Sequence, residues 1–147
     1  MDEGLKEIAS RVRTAILKAI SDIGNVGNGF KNFPSGSCEA ASVIAGMYLQ
    51  KIGFGEVVLK VGKRPTDQEG SYNNHIWLMV SNKYIFDITA DQYDDCDEEI
   101  IVSESSPFHN TFQVYDDRKV KFDYLREKGN NGNSRIYHKV NELLLRI

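Results

Sequence analysis

Two cysteines among 147 residues are too few for a disulfide framework, so the fold has to rest on an apolar core. No CxxC pair occurs and only three histidines accompany the thiols, so no metal and no cofactor is expected. No apolar run approaches the roughly 20 residues that cross a bilayer, which argues against a membrane partner. Positive charge is also short. The 18 Lys and Arg stand against 21 Asp and Glu, a net charge of −3, which leaves no basic surplus to displace counterions from nucleic acid. Met1 to Ser10 carries acids early and lacks the uninterrupted apolar stretch of a secretory signal, so a cytoplasmic location is the expectation.

What is present suits one globular domain over residues 1–147, with 41% hydrophobic and 27% charged residues. Leu5, Ile8, Val12, Ala15, Ile16, Ala19, Ile20 and Ile23 recur at helical spacing and predict a long first helix, stopped by Gly24 and the Asn25 to Gly29 stretch. Phe30 to Ser37 reads as a loop, and Cys38 to Lys51 as a second helix ending at Gly53. The period then changes. Glu56 to Val61 reads as a strand, Lys63 to Asn74 as a polar loop, and His75 to Val80 as a strand covered on both faces. Ser81 to Lys83 is a tight connection to a returning strand, Tyr84 to Ile88, and further strands are expected at Ile100 to Val102 and Thr111 to Tyr115. Gly129 to Asn133 reads as a loop before a last helix whose face is Ile136, Val140, Leu143, Leu144 and Ile147. The expected class is α+β, with N-terminal helices on a central antiparallel sheet and a C-terminal helix.

The two cysteines sit in opposite settings. Cys96 lies among Asp94, Asp95, Asp97, Glu98 and Glu99, where carboxylates disfavour a thiolate. Cys38 follows a Gly-containing turn and opens a helix, where unpaired amides and the helix dipole favour a thiolate and can hold an oxyanion. A buried structural cysteine occupies the same kind of position, so Cys38 alone decides nothing. A thiol nucleophile needs a base, and His75 begins the most apolar segment of the chain. The imidazole in turn needs an acceptor. Asp87 lies on the returning strand among Ile85, Phe86 and Ile88, where an aspartate is costly to bury without a partner. Each of the three residues is odd in its own segment, and each accounts for the next.

The order of Gly36-Ser37-Cys38-Glu39-Ala40-Ala41, His75-Ile76-Trp77 and Asp87-Ile88-Thr89 resembles the transglutaminase-like branch of the papain-like cysteine enzymes. The likeness covers the central half of the chain. It implies a papain/transglutaminase-like fold, Cys38 as nucleophile, His75 as base and then acid, and Asp87 as the residue that orients it. It also implies secondary oxyanion or substrate positions. Asn32 stands six residues before the cysteine, where papain-type enzymes carry a glutamine, and is shorter by one methylene. Ser37 and Trp77 flank the main motifs. Apart from the resemblance, the segment Thr89 to Tyr93 follows the aspartate and has two readings, a cleft lining in which Gln92 or Tyr93 touches substrate and a loop that caps the strand end. The Asp-x-Thr-Ala-Asp-Gln segment resembles that of short proteins that often carry an aromatic-His pair downstream, here Phe108-His109, which makes His109 a secondary site candidate; a plain loop residue is the other reading.

The resulting expectation is amide hydrolysis or acyl transfer through a thioester, on a peptide, protein or small amide substrate. Peptidase, deamidase and amine acyltransferase share these steps. The alternatives are an inactive papain-like binding module, or an interaction partner acting through its acidic surface. The acidic run Asp91 to Glu99 lacks the register of a calcium loop, and the Asn25 to Gly29 glycines lack the Lys-Ser/Thr of a phosphate loop. No calcium requirement is expected. His138 is expected at the surface or boundary of the last helix. The sequence does not specify an oligomeric state.

Overall fold

The computed structural model describes residues 2–24, 26, 29–121 and 132–145. Helix α1 (Asp2–Ile23) and helix α2 (Cys38–Lys51) precede a hairpin of β1 (Val57–Pro65) and β2 (Tyr72–Val80). Then come β3 (Tyr84–Asp87), a single 3₁₀ turn (Ala90–Gln92), β4 (Ile101–Ser103), the short helix α3 (Pro107–Asn110), β5 (Gln113–Lys119) and helix α4 (Gly132–Leu145). The class is α+β. The five strands form one antiparallel sheet in the order β4-β3-β2-β1-β5. Among the described residues no helix is long and apolar enough to cross a membrane.

The sheet carries a core on each face. Ile76, Leu78 and Val80 alternate toward the larger one, shared with Leu5, Val12 and Ile16 of α1, Ile44 and Leu49 of α2, and Ile136 and Val140 of α4. His75, Trp77 and Met79 alternate the other way. On that second face Trp77 packs with Ile85, Ala90, Ile101 and Phe112, joined by Tyr93, Cys96 and Phe108. Helix α2 lies close on the sheet because its facing residues are small: a Cβ on Gly46 would come within 2.8 Å of Val120 and 3.4 Å of Leu78. One turn earlier, Ser42 Oγ donates to the Ile76 carbonyl at 3.4 Å. Four residues of helix and two of strand each advance about 6–7 Å. One more step back therefore brings Cys38 to the level of Asn74 and His75.

Several boundaries differ from the sequence expectation. Lys63 to Pro65 and Tyr72 to Asn74 are not loop, because Lys63 pairs with Asn74, Arg64 with Asn73 and Pro65 with Tyr72. A hairpin ladder needs only backbone groups, so it runs on past the last apolar side chain. His75 is consequently an interior residue of β2 rather than its first. Strand β5 begins and ends later than expected, and α3 was not foreseen. Helix α3 is a single turn started by Ser106, whose hydroxyl accepts the His109 amide, with Pro107 at its first position. Gly132 and Asn133 belong to α4, whereas Gly129 to Asn131, Ile147 and most of the Asn25 to Gly29 stretch lie outside the described residues. The Ser81-Asn82 connection has the positive φ pair, 56° and 53°, that a type I′ hairpin turn requires.

Gly62 lets the outer edge of the Trp77 indole come close to β1. A Cβ there would meet the Trp77 ring at 2.9 Å and Phe112 Cβ at 3.0 Å. Gly62→Val should lower unfolding stability by about 1–3 kcal/mol in urea melts, read from the one tryptophan, through overpacking. A midpoint unchanged from the parent would mean that this contact is slack.

Candidate active site

Strand β3 is buried along its whole length, and it ends in a carboxylate: Asp87 is 1% exposed. Its Oδ1 accepts the Thr89 amide at 2.8 Å, so the Asp-x-Thr spacing is that of a side chain bonding the backbone two residues on. Its Oδ2 is met at 2.6 Å by His75 Nε2 and at 2.6 Å by His109 Nε2. Burial alone would favour the neutral acid. The charge of His75 and the bonds from His109 and His75 overcome it and hold the carboxyl well below the usual carboxylate range.

The same balance acts on His75, which is fully buried. Burial works against its charged form. The charge and hydrogen bond of Asp87, reinforced by hydrogen bonding and charge at Cys38, outweigh burial and raise its pKa to about 9. Four aromatic rings enclose the imidazole, with centroids 5.6 Å away for Trp77, 5.2 Å for Tyr93, 5.9 Å for Phe108 and 5.6 Å for Phe112. Arg64 covers three of them, its guanidinium carbon 4.5 Å from the Phe112 centroid, while Asp95 binds the same guanidinium at 2.8 Å through both oxygens. This box keeps water from the His75–Asp87 pair.

Cys38 is the partly exposed first residue of α2, and its side chain is hydrogen-bond partner to His75. No side chain caps that helix, so its first-turn amides are available to an anion. Gln92 joins the cysteine turn to the histidine. Its Oε1 accepts the Gly36 amide at 3.4 Å, and its Nε2 donates to the Thr89 carbonyl at 3.1 Å and lies 3.4 Å from His75 Nδ1. Tyr93 donates its hydroxyl to the Asn74 carbonyl at 2.6 Å, and burial together with the nearby Cys38 keeps that phenol protonated. A groove of about 630 Å³ opens beside Gln92 and Tyr93, lined also by Arg64, Asn73 and Asp94.

The remaining sequence candidates fall in different places. His109 is buried against Asp87, as described. Ser37 is buried, its carbonyl accepting the Ala41 amide in the first turn of α2, and Trp77 is 3% exposed in the second core. Asn32 is exposed, in a turn bridged to Ser35, and Gln92 is the amide side chain that reaches the site. Cys96 is a partly exposed free thiol whose pKa is raised first by burial, with Glu98, Asp87 and Asp95 adding to it.

Two further residues contribute, Ser106 and Arg13. Ser106 Oγ lies 2.7 Å from His109 Nδ1 while accepting the His109 amide, so its hydroxyl proton is directed at the ring. That tautomer leaves Nε2–H to donate to Asp87. Ser106, His109 and Asp87 form a serine-histidine-aspartate sequence of contacts, but Ser106 is 4% exposed and serves as a helix cap. The other is Arg13 of α1. It binds Asp91 through its two terminal nitrogens at 2.8 and 2.9 Å and the Ile88 carbonyl at 2.7 Å, clamping the segment that joins Asp87 to Gln92. An arginine among Val12, Ile16 and other core positions was the available signal.

His75, Asp87 and His109 also form the kind of cluster that can ligate a metal, their ligand atoms lying within 4.8 Å of one another. The two 2.6 Å contacts are hydrogen-bond lengths. An ion with ligand bonds of about 2.0–2.2 Å would need those atoms farther apart. Comparison of the chain with protein-family models, with curated proteins and with solved structures returns no match.

Removing Arg13 leaves Asp91 partly buried without its cation. Arg13→Met should cost about 3 kcal/mol of stability in urea melts, and a loss under about 1 kcal/mol would deny the clamp. The pH dependence has a defined sign. A raised His75 pKa contributes stability that is fully present below about 6.5 and lost as pH rises through about 9. The depressed Asp87 contributes stability present above its ordinary range, near 3.8, and lost as pH falls through its folded value. Unfolding midpoints should therefore peak between about pH 4 and 6.5 and decline toward pH 9, with the alkaline decline diminished in His75→Gln. A midpoint that rises from pH 6.5 to 9 would contradict this assignment.

Proposed function

We propose that the chain is a cysteine-dependent amide hydrolase or acyltransferase of the papain/transglutaminase-like type. The observation that carries this reading is the buried Asp87–His75 pair with the Cys38 thiol in hydrogen-bond contact with the same imidazole. Both His75 nitrogens then have work. Nε2–H is committed to Asp87, and Nδ1 faces the thiol and the substrate. With the imidazole protonated, the thiolate of Cys38 attacks the carbonyl carbon of an amide, and the carbonyl π electrons move to oxygen. As the tetrahedral intermediate collapses, the C–N bond breaks and Nδ1–H gives its proton to the departing amine, leaving a thioester. Neutral His75 then takes a proton from water, or from a second amine, as that nucleophile displaces the thiolate.

The developing oxyanion has two candidate donors. One is the backbone amide of Cys38 at the uncapped start of α2. The other is Gln92 Nε2, held in place by Gly36 and Thr89. Asp87 stays ionised throughout, because His109 and the Thr89 amide hold it as well as His75 does. None of these steps needs a cofactor. A reducing compartment, as the cytosol is, keeps the thiol available. A peptide, protein or small amide is the substrate class, reached through the groove at Gln92 and Tyr93.

The test is the alkylation rate of Cys38 by iodoacetamide at pH 6, in Cys96→Ser protein. His75→Ala should slow it by at least about tenfold, since the imidazolium partner is gone, and Asp87→Asn should slow it as well. A rate at pH 6 that is indifferent to His75 would retire the enzyme and leave a scaffold used for binding.

A further inference from the structure

The sheet face on which α2 lies continues past the N-terminus of that helix, and there it is open. Cross-strand pairs share a face, so Lys63 with Asn74 and Pro65 with Tyr72 lie on the side of Ile76 and Leu78, next to the end of α2 that carries Cys38. Tyr115, the extra residue where β5 slips against Val61 and Gly62, reaches across β1 and donates its hydroxyl to Asn74 Oδ1 at 3.3 Å. Tyr72 and Tyr115 are 53% and 51% exposed, an unusual amount of aromatic surface beside a candidate active site.

Between these rings stands Lys63, its Nζ 5.1 Å from the Tyr72 centroid and 5.7 Å from that of Tyr115. Strand β1 has three cations. Lys60 is paired with Asp117 and Arg64 with Asp95, whereas Lys63 has no carboxylate among the described residues. The acid nearest along β5, Asp116, is bound by Arg118 at 2.8 Å, and Glu39 on α2 lies 3.7 Å from the same arginine. The local acids are thus taken, and one ammonium flanked by two aromatic faces is left to meet an anion from outside.

We infer that Lys63, Tyr72 and Tyr115 form a substrate subsite for a peptide segment bearing a carboxylate side chain, glutamate or aspartate, close to the bond presented to Cys38. The rings take the apolar stem of that residue and Lys63 takes its carboxylate. The identification of this site as a substrate subsite rests on the proposed function, but its binding chemistry does not.

The experiment accordingly uses Cys38→Ala protein, which cannot react. Labelled with ¹⁵N, it is titrated with acetyl-Gly-Glu-Gly-amide and, separately, with acetyl-Gly-Gln-Gly-amide. The glutamate peptide should move the amide resonances of Lys63, Tyr72 and Tyr115 and bind at least about threefold more tightly than the glutamine peptide. Lys63→Gln should abolish that preference and Lys63→Arg should keep it. Equal affinities in the parent, shifts confined to other residues, or a preference that survives Lys63→Gln would each overturn the inference. These outcomes are independent of whether Cys38 is reactive, which the alkylation rates decide.

Discussion

A carboxylate in the core of a sheet, with no water to stabilise it, obliges everything around it to supply donors. Asp87 has four: the Thr89 amide and, at 3.5 Å, the Thr89 hydroxyl on one oxygen, and the two imidazoles of His75 and His109 on the other. Withdraw any of them and the buried charge is less well compensated, which is why the segment after β3 turns where it does. The same demand explains the Ser106 hydroxyl behind His109, since a ring that must donate through Nε2 needs a donor at Nδ1. The carboxylate then repays its surroundings by charging His75, despite a burial that opposes any charge there.

Two mechanical features bring the thiol to this pair. Small side chains on α2 let it settle against β2 in step with the strand, and that register ends with Cys38 at the level of His75. Arg13 reaches from α1 to the backbone and carboxylate of the Ile88–Asp91 stretch, tying the first helix to the loop that presents Gln92 and Tyr93. The long N-terminal helix is therefore more than core packing. It braces one wall of the site, while Arg64 and its aromatic neighbours form the other.

Cys38, His75 and Asp87 were legible in the sequence because each is anomalous within its own segment and the anomalies explain one another. The helices were legible because their apolar periodicity is strong. The hairpin ends were not, since Lys63, Arg64, Asn73 and Asn74 carry no apolar alternation and are paired by backbone alone. Arg13 and Ser106 are harder to read: an arginine on the apolar face of a helix marks Arg13 as paired, but its partners are 75 or more residues away, and Ser106 caps a helix of only four residues. The sequence offers two amide side chains for the cysteine turn, Asn32 upstream and Gln92 after the aspartate, and it is Gln92 that reaches it, through a bond to Gly36 that spans 56 residues.

The proposed chemistry depends on the charge of one buried ring. Nitrogen-detected NMR of the histidine side chains, followed from pH 5 to 10 in parent and Asp87→Asn protein, reads that charge directly. The His75 resonances should show both nitrogens protonated at pH 7, lose a proton near pH 9, and titrate at markedly lower pH once Asp87 is an amide. A His75 that is neutral at pH 7 in the parent, or that titrates identically in both proteins, would contradict the arrangement on which the proposed chemistry depends.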